Sequence, residues 1–165
     1  MHIAMTEQER YDILRASPFA AELTDAQCRE LGRIIAVRSL KDGEILIKDG
    51  HSDNSLHVVI TGMLAVMKES GAGESITLHI LKSGDLAGAL GFIDGMEHSA
   101  TLSSIGNTEL FSLQRDAFES LLATDPVLVY RVMRSIVRAV HGIVRRMNNQ
   151  YVELTNYINK QHGRY

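Results

Sequence analysis

The chain has one cysteine, Cys28, in 165 residues, so it can form no intrachain disulfide and no all-cysteine zinc site, a usage that fits a reducing compartment. Basic residues are not in excess. Seventeen Lys plus Arg against twenty Asp plus Glu leave a formal charge of -3, and a pI near 6.1 lacks the electrostatic footprint of a protein that coats nucleic acid. DNA binding by the chain alone is not expected. No apolar run approaches the ~20 residues of a spanning helix, and the first ten residues turn polar by Thr6 without an export pattern. These absences predict a soluble, cytoplasmic protein. Only two prolines occur, and 45% hydrophobic with 22% charged residues excludes disordered, collagen-like and low-complexity classes. The length suits one domain of roughly 100 to 200 residues. Signatures of catalysis are also missing: there is no nucleophile elbow, Walker loop or dinucleotide fingerprint. The seven histidines, at 2, 51, 57, 79, 98, 141 and 162, show no metal-ligand spacing. Neither an enzyme nor a metal site is expected.

What is present begins as helix. Thr6 to Glu9 and Thr24 to Gln27 both have the capping-box form ahead of helically spaced apolar residues. In the second helix Leu31, Ile34 and Ile35 form an apolar face with Cys28 one turn earlier, which makes the thiol a small core residue. From 39 to 113 the texture changes to short apolar runs separated by glycine, the pattern of an all-β barrel or sandwich. Strands are predicted near 44–48, 56–60, 63–68, 75–81, 99–105 and 108–113, with turns at Thr61-Gly62 and Gly106-Asn107 among others. Ile76, Leu78 and Ile80 alternate with Thr77 and His79, one face in and one face out. The stretch 86–92, LAGALGF, is too small and glycine-rich for a strand. It predicts a short helix whose first N–H groups are unpaired and suited to an anion.

Helix returns over 114–123, and Asp125-Pro126 then caps a last helix running to about residue 161. At ~1.5 Å per residue it exceeds 50 Å, beyond the roughly 35 Å diameter of the preceding body. Part of it needs another partner. Its apolar stripe, Val129, Met133, Ile136, Val140, Ile143, Met147, Tyr151, Leu154 and Ile158, has a mean step near 3.6 and predicts a homodimer seam, with Val129 to Tyr151 as the interface. Arg131, Arg134, Arg138 and Arg145 form a basic stripe read as a solvated face. Gly142, costly mid-helix, predicts close approach of a second helix.

Leu40-Lys41-Asp42-Gly43-Glu44, then Gly50, residues 53–62 (DNSLHVVITG), residues 81–85 (LKSGD) and Ser99-Ala100 together resemble the cyclic-nucleotide-binding domain, in detail the bacterial group around the cyclic-AMP receptor protein. The resemblance covers about residues 20–160. It implies an α+β fold: an antiparallel β-barrel of double-stranded β-helix (jelly-roll) type, with N-terminal helices and a long C-terminal helix. The divisions expected are 1–23, an N-terminal helical segment; 24–125, the β-barrel domain; and 126–161, the dimerisation helix. In that family the segment after the Gly-Asp pair is a phosphate-binding cassette, which maps here onto Gly88, Ala89, Leu90, Gly91, His98, Ser99 and Ala100. Ala89 stands where a ribose-binding glutamate is expected, and His98 where an arginine pairs with the cyclic phosphate. The loop between Phe92 and His98 is one residue shorter than in the receptor protein. Ile143 and Val144 stand where hydroxyls would meet the purine. Two lost charged hydrogen bonds cost roughly 3 to 6 kcal/mol, about a hundredfold to ten-thousandfold in affinity. Backbone N–H groups around Gly88 to Gly91, Ser99 and a histidine near its titration range remain. Taken alone, His98 is an exposed loop residue.

The expected function is therefore a stand-alone regulatory module with a degenerate cassette and no resident cofactor, acting through homodimerisation and a protein partner. The alternative is a sensor that binds a cyclic nucleotide or another anion unconventionally in the same pocket. Family transcription factors carry a helix-turn-helix after the long helix, and the resemblance implies none before Tyr165.

Overall fold

The computed structural model describes residues 2–163. Both capping boxes form: Thr6 Oγ1 accepts from the Glu9 N–H while the Thr6 N–H donates to Glu9 Oε2, and Thr24 and Gln27 repeat the exchange. They open α1 (Glu7–Ala16) and α2 (Asp25–Gly32). The helical face expected through Ile34 and Ile35 is cut short. Ile35 opens a strand, because 35–40 alternates buried and half-buried residues at the period of a sheet. Cys28 is fully buried.

The strands are β1 (His2–Ile3), β2 (Ile35–Leu40), β3 (Ile45–Ile47), β4 (Ser55–Glu69), β5 (Ser75–Leu81), β6 (Leu86–Ala87) and β7 (Thr101–Gln114). All pairings are antiparallel, in the order β1-β2-β7-β4-β5 with β3 on β7 and β6 on β4. Leu40, Ile47, Val59, Leu64, Leu81, Ala87 and Leu102, drawn from β2 through β7, meet in one core cluster, so the sheet curls around them as a roll. It does not close into a barrel, since β1 and β5 pair on one side only.

Two expected hairpin turns are bends inside long strands. Gly62 and Gly106 both have positive φ, at 88° and 66°, and the register of β4 on β7 shifts between Val59 and Met63. The bends face each other. A Cβ on Gly62 would lie 2.5 Å from the Asn107 carbonyl oxygen, so the two strands turn together and keep pairing. The alternation on β5 is not one-in, one-out: Ile76, Leu78 and Ile80 are all exposed, because β5 is an edge strand with no layer of this chain over it.

A second, larger core lies between the roll and the helices, and includes Leu14, Leu31, Val37, Leu56, Phe111 and Phe118. On this side α3 (Ala89–Asp94), α4 (Arg115–Ser120) and a 3-10 turn, Leu121–Ala123, precede α5 (Pro126–His162). The Asp125 side chain caps α5 by accepting from the Leu128 N–H, with Pro126 in the first turn.

The faces of α5 divide differently from the single stripe expected. Val129 and Ile136 belong, with Leu128 and Val132, to the chain's own core, and Ala139 packs against it. They are not free for a partner, because the roll already fills their side of the helix. Met133, Val140 and Ile143 are half-buried, whereas Met147 and Tyr151 are exposed. From residue 144 to 163 every residue is exposed. Three of the four stripe arginines are engaged rather than simply solvated, while Arg145 is exposed. Arg134 and Arg138 pair with Glu22, and Arg131 donates to Gln27. No helix among the described residues is long and apolar enough to cross a membrane.

Candidate ligand-binding cassette

Gly88 follows the two-residue β6 and leads into α3 as its N-cap at φ 74°, a left-handed conformation that glycine adopts without penalty. Phe92 anchors the helix from below, fully buried and 5.4 Å from the Phe118 ring. That anchoring sets the faces of the cassette. Ala89 turns to the helical core, while Leu90 is 60% exposed.

His98 is not an exposed loop residue. Its backbone pairs with the preceding loop, the Gly50 N–H donating to the His98 carbonyl and the His98 N–H to that of His51. The ring turns inward over α3. A Cβ placed on Gly91 would lie 2.6 Å from His98 Cε1, and one on Gly88 would lie 3.4 Å from the same atom. The imidazole thus packs against the backbone of both glycines, and its Nε2 lies 3.4 Å from the Asp53 carbonyl oxygen. Of the seven cassette residues expected, Gly88, Gly91 and His98 converge. Ser99 is exposed and Ala100 half-buried, and the Ser99 carbonyl accepts from Lys68 Nζ, which also pairs with Asp49. Ile143 and Val144 bring no polar atom from α5.

Two features at the cassette were not singled out from the sequence. Asp53, whose carbonyl faces His98, places its carboxylate 2.7 Å from His57 Nε2, and His57 Nδ1 is hydrogen-bonded to the Ser112 hydroxyl at 2.7 Å. His57 and Ser112 are buried. Burial pushes the Asp53 carboxyl up, but the His57 hydrogen bond and charge together with the Ser55 N–H outweigh it, and its pKa lies below the ordinary value. The second feature is Arg115, whose guanidinium lies against Gly95 at the end of α3, 2.9 Å from where a Cβ would stand.

A cleft of about 330 Å³ lies elsewhere, between Ile13 and Pro18 on one side and Ile60, Ser83 and Phe111 on the other. Among the described residues no three His, Cys, Asp or Glu side chains converge in a way that could hold a metal.

Residues 37–125 match the family described as cyclic nucleotide-binding domain. Among curated proteins, the chain is 25% identical over 100 residues to the cAMP-dependent protein kinase regulatory subunit of Dictyostelium discoideum, covering 59% of this chain and 31% of that one. It is 25% identical over 115 residues to the cAMP-activated global transcriptional regulator CRP of Salmonella typhimurium, covering 68% and 55%. The chain thus spans from a third to about half of these relatives. In fold it resembles the crystal structure of a cyclic nucleotide-binding domain from Methylobacillus flagellatus, with a TM-score of 0.82 and 20% identity over 93% of this chain and 88% of that one.

Proposed function

Because the chain belongs to the cyclic nucleotide-binding domain family, we propose that it is a regulatory module whose degenerate cassette no longer reads a cyclic nucleotide and which acts through dimerisation and a protein partner. The observation that carries this reading is the His98 ring seated on Gly88 and Gly91. A side chain fills the cradle, and positions 89 and 98 supply neither a carboxylate nor a guanidinium. Regulation is what the curated relatives' names describe, a kinase regulatory subunit and a transcriptional regulator.

Dimerisation is supported by a stripe that the domain covers only at Met133 and Val140, which pack against its own core. Tyr130, Met133, Val137, Val140, Val144, Met147, Tyr151, Leu154 and Ile158 follow one another in steps alternating between 3 and 4. A strict 3.5 repeat is the pattern of a left-handed two-helix seam. Tyr130, Val137, Val144 and Met147 are exposed in the single chain, so a second copy of α5 would cover them. The apolar row of Ile76, Leu78 and Ile80 on the edge strand supports a protein contact as well.

The test is thermal unfolding with cyclic AMP, cyclic GMP and cyclic dinucleotides. No rise in Tm is expected. A concentration-dependent rise that His98→Ala alters would favour the second reading, a sensor using the cassette unconventionally.

A further inference from the structure

The cleft between α1 and the roll has a floor, two walls and a closed end. Val59 and Phe111, both buried, form the floor, and the Phe111 ring packs at 6.1 Å from that of Phe19. One wall is the last turn of α1 and the 3-10 turn after it, where Ile13, Ala16, Ser17 and Pro18 line the space. Facing it are Ile60 of β4 and the turn after β5, with Ser83 and Gly84. The walls meet at one end. A Cβ on Gly84 would lie 3.4 Å from the Pro18 ring, and the Gly84 N–H donates to the Val59 carbonyl at 2.8 Å, which fixes the turn on β4. Small residues at 16, 17, 83 and 84 leave the room between. A volume of about 330 Å³ falls at the lower end of the roughly 300 to 1,000 Å³ of small-molecule sites.

The lining selects a chemistry. Among the described residues no charged side chain lines the cleft, and its charged neighbours along the chain are held elsewhere. Arg15 donates to the carbonyls of Ala20 and Leu23, and the Asp85 carboxylate accepts from the Lys82 N–H. A charged ligand would lose its water without gaining a partner. Two serines have capacity to spare. Ser17 Oγ accepts from the Phe19 N–H at 3.3 Å, so its own hydrogen is left to donate; Ser83 Oγ donates to the Ile60 carbonyl at 2.6 Å, so its lone pairs are left to accept. They directly precede Pro18 and Gly84, the residues that meet. The free donor and the free acceptor therefore stand at the same end.

We propose that this cleft binds a small uncharged molecule with an apolar body and one hydroxyl group, an alcohol or a phenol. The body covers Ile13, Val59, Ile60 and Phe111 and is held by removal of apolar surface from water. The hydroxyl accepts from Ser17 and donates to Ser83. The site is separate from the cassette and does not depend on what the cassette binds. The bound molecule joins α1 and its 3-10 turn to the turn at 82–85, three residues before Gly88. It would thus hold the helical layer on the roll at the entry to the cassette.

The probes are para-propylphenol, propylbenzene and para-propylbenzoate, which share one shape and differ in the polar group. The phenol should raise the Tm with concentration and shift the Ile13 and Ile60 methyl resonances saturably in NMR spectra, with a dissociation constant of roughly a millimolar or tighter. Propylbenzene should bind at least about threefold more weakly, and the benzoate should not bind. In Ser83→Ala the preference for the phenol over propylbenzene should fall. Ala16→Trp, at an exposed position, places a large side chain in the cleft and should abolish the shifts without changing the circular dichroism. The proposal is overturned if the phenol at millimolar concentration leaves the Ile13 and Ile60 methyls unmoved, or if the benzoate binds as tightly. It is also overturned if Ala16→Trp binds like the parent, or if the shifts fall instead on Leu90 and Ile93 of the cassette or on Ile76 and Leu78 of the edge strand.

Discussion

The chain from Asp53 through His57 to Ser112 ties the loop that faces His98 to β4 and β7. The carboxylate lies 2.7 Å from His57 Nε2 and accepts from the Ser55 N–H, and the same residue's carbonyl faces His98. Asp53→Asn removes a charged acceptor and should cost about 1.5 to 3 kcal/mol at neutral pH. The folded carboxyl has a lowered pKa, so its stabilisation is complete above the unfolded value near 4 and lost as pH falls through the lower folded one. Unfolding curves of the two proteins should therefore lie apart at pH 7 and converge in strong acid. Convergence at pH 7 would refute a stabilising role for the charge. Glycines divide by surroundings in the same way. Alanine at Gly62 meets backbone atoms of Asn107 and Thr108 within 3 Å and also carries the wrong φ, so a loss of about 3 kcal/mol or more is expected. At Gly106 nothing lies within 4 Å, and only the backbone strain of about 1 to 2 kcal/mol should appear in the denaturation midpoint. Little of this network was legible in the sequence. His57 and Ser112 are 55 residues apart, and only the pairing of β4 with β7 sets them side by side. His98 was visible as the residue in the arginine's place, but its inward turn depends on Gly91, whose missing Cβ leaves room for the ring.

At the scale of elements, caps and turns carried most of the legible information. Thr6, Thr24 and Asp125 start helices where their local chemistry says they should. The errors arose where a local signal was overruled by pairing. Gly106-Asn107 suits a hairpin, yet Gly62 opposite bends in step with it and both strands run on. Helix α5 differs for a related reason: two apolar stripes overlap on it, and periodicity alone merges a core face with an exposed one. Gly142 belongs to neither, and a Cβ there would meet open space. The two stripes predict opposite outcomes for the same chemical change. Met147→Asp with Tyr151→Asp alters exposed residues, so the domain should stay folded while the mass by light scattering falls to one chain of 18.3 kDa. Ile136→Asp buries a charge at a site with no exposure and should lose the fold, at more than about 3 kcal/mol. A monomeric parent protein at micromolar concentration would end the proposal of a seam on α5.

Over the whole molecule, α5 is 37 residues long, about 55 Å at the usual rise, and only its first part touches the body. Leu128, Val129, Val132 and Ile136 are buried, after which contact fades and residues 144–163 are entirely exposed. A helix of some twenty residues without tertiary contacts is marginal in water, since nucleation is costly and propagation gains little. The distal half should therefore hold its hydrogen bonds only where something covers the stripe from Val144 to Ile158. Amide exchange separates the cases. In the dimer, amides on both halves of α5 should exchange slowly; in the Met147→Asp, Tyr151→Asp protein, those before about residue 140 should keep their protection and those beyond it should lose most of it. The roll should be unaffected, because its two cores include no residue beyond Val140. If the distal amides exchange equally fast in both proteins, the seam does not protect the helix, and the two copies are joined elsewhere or not at all.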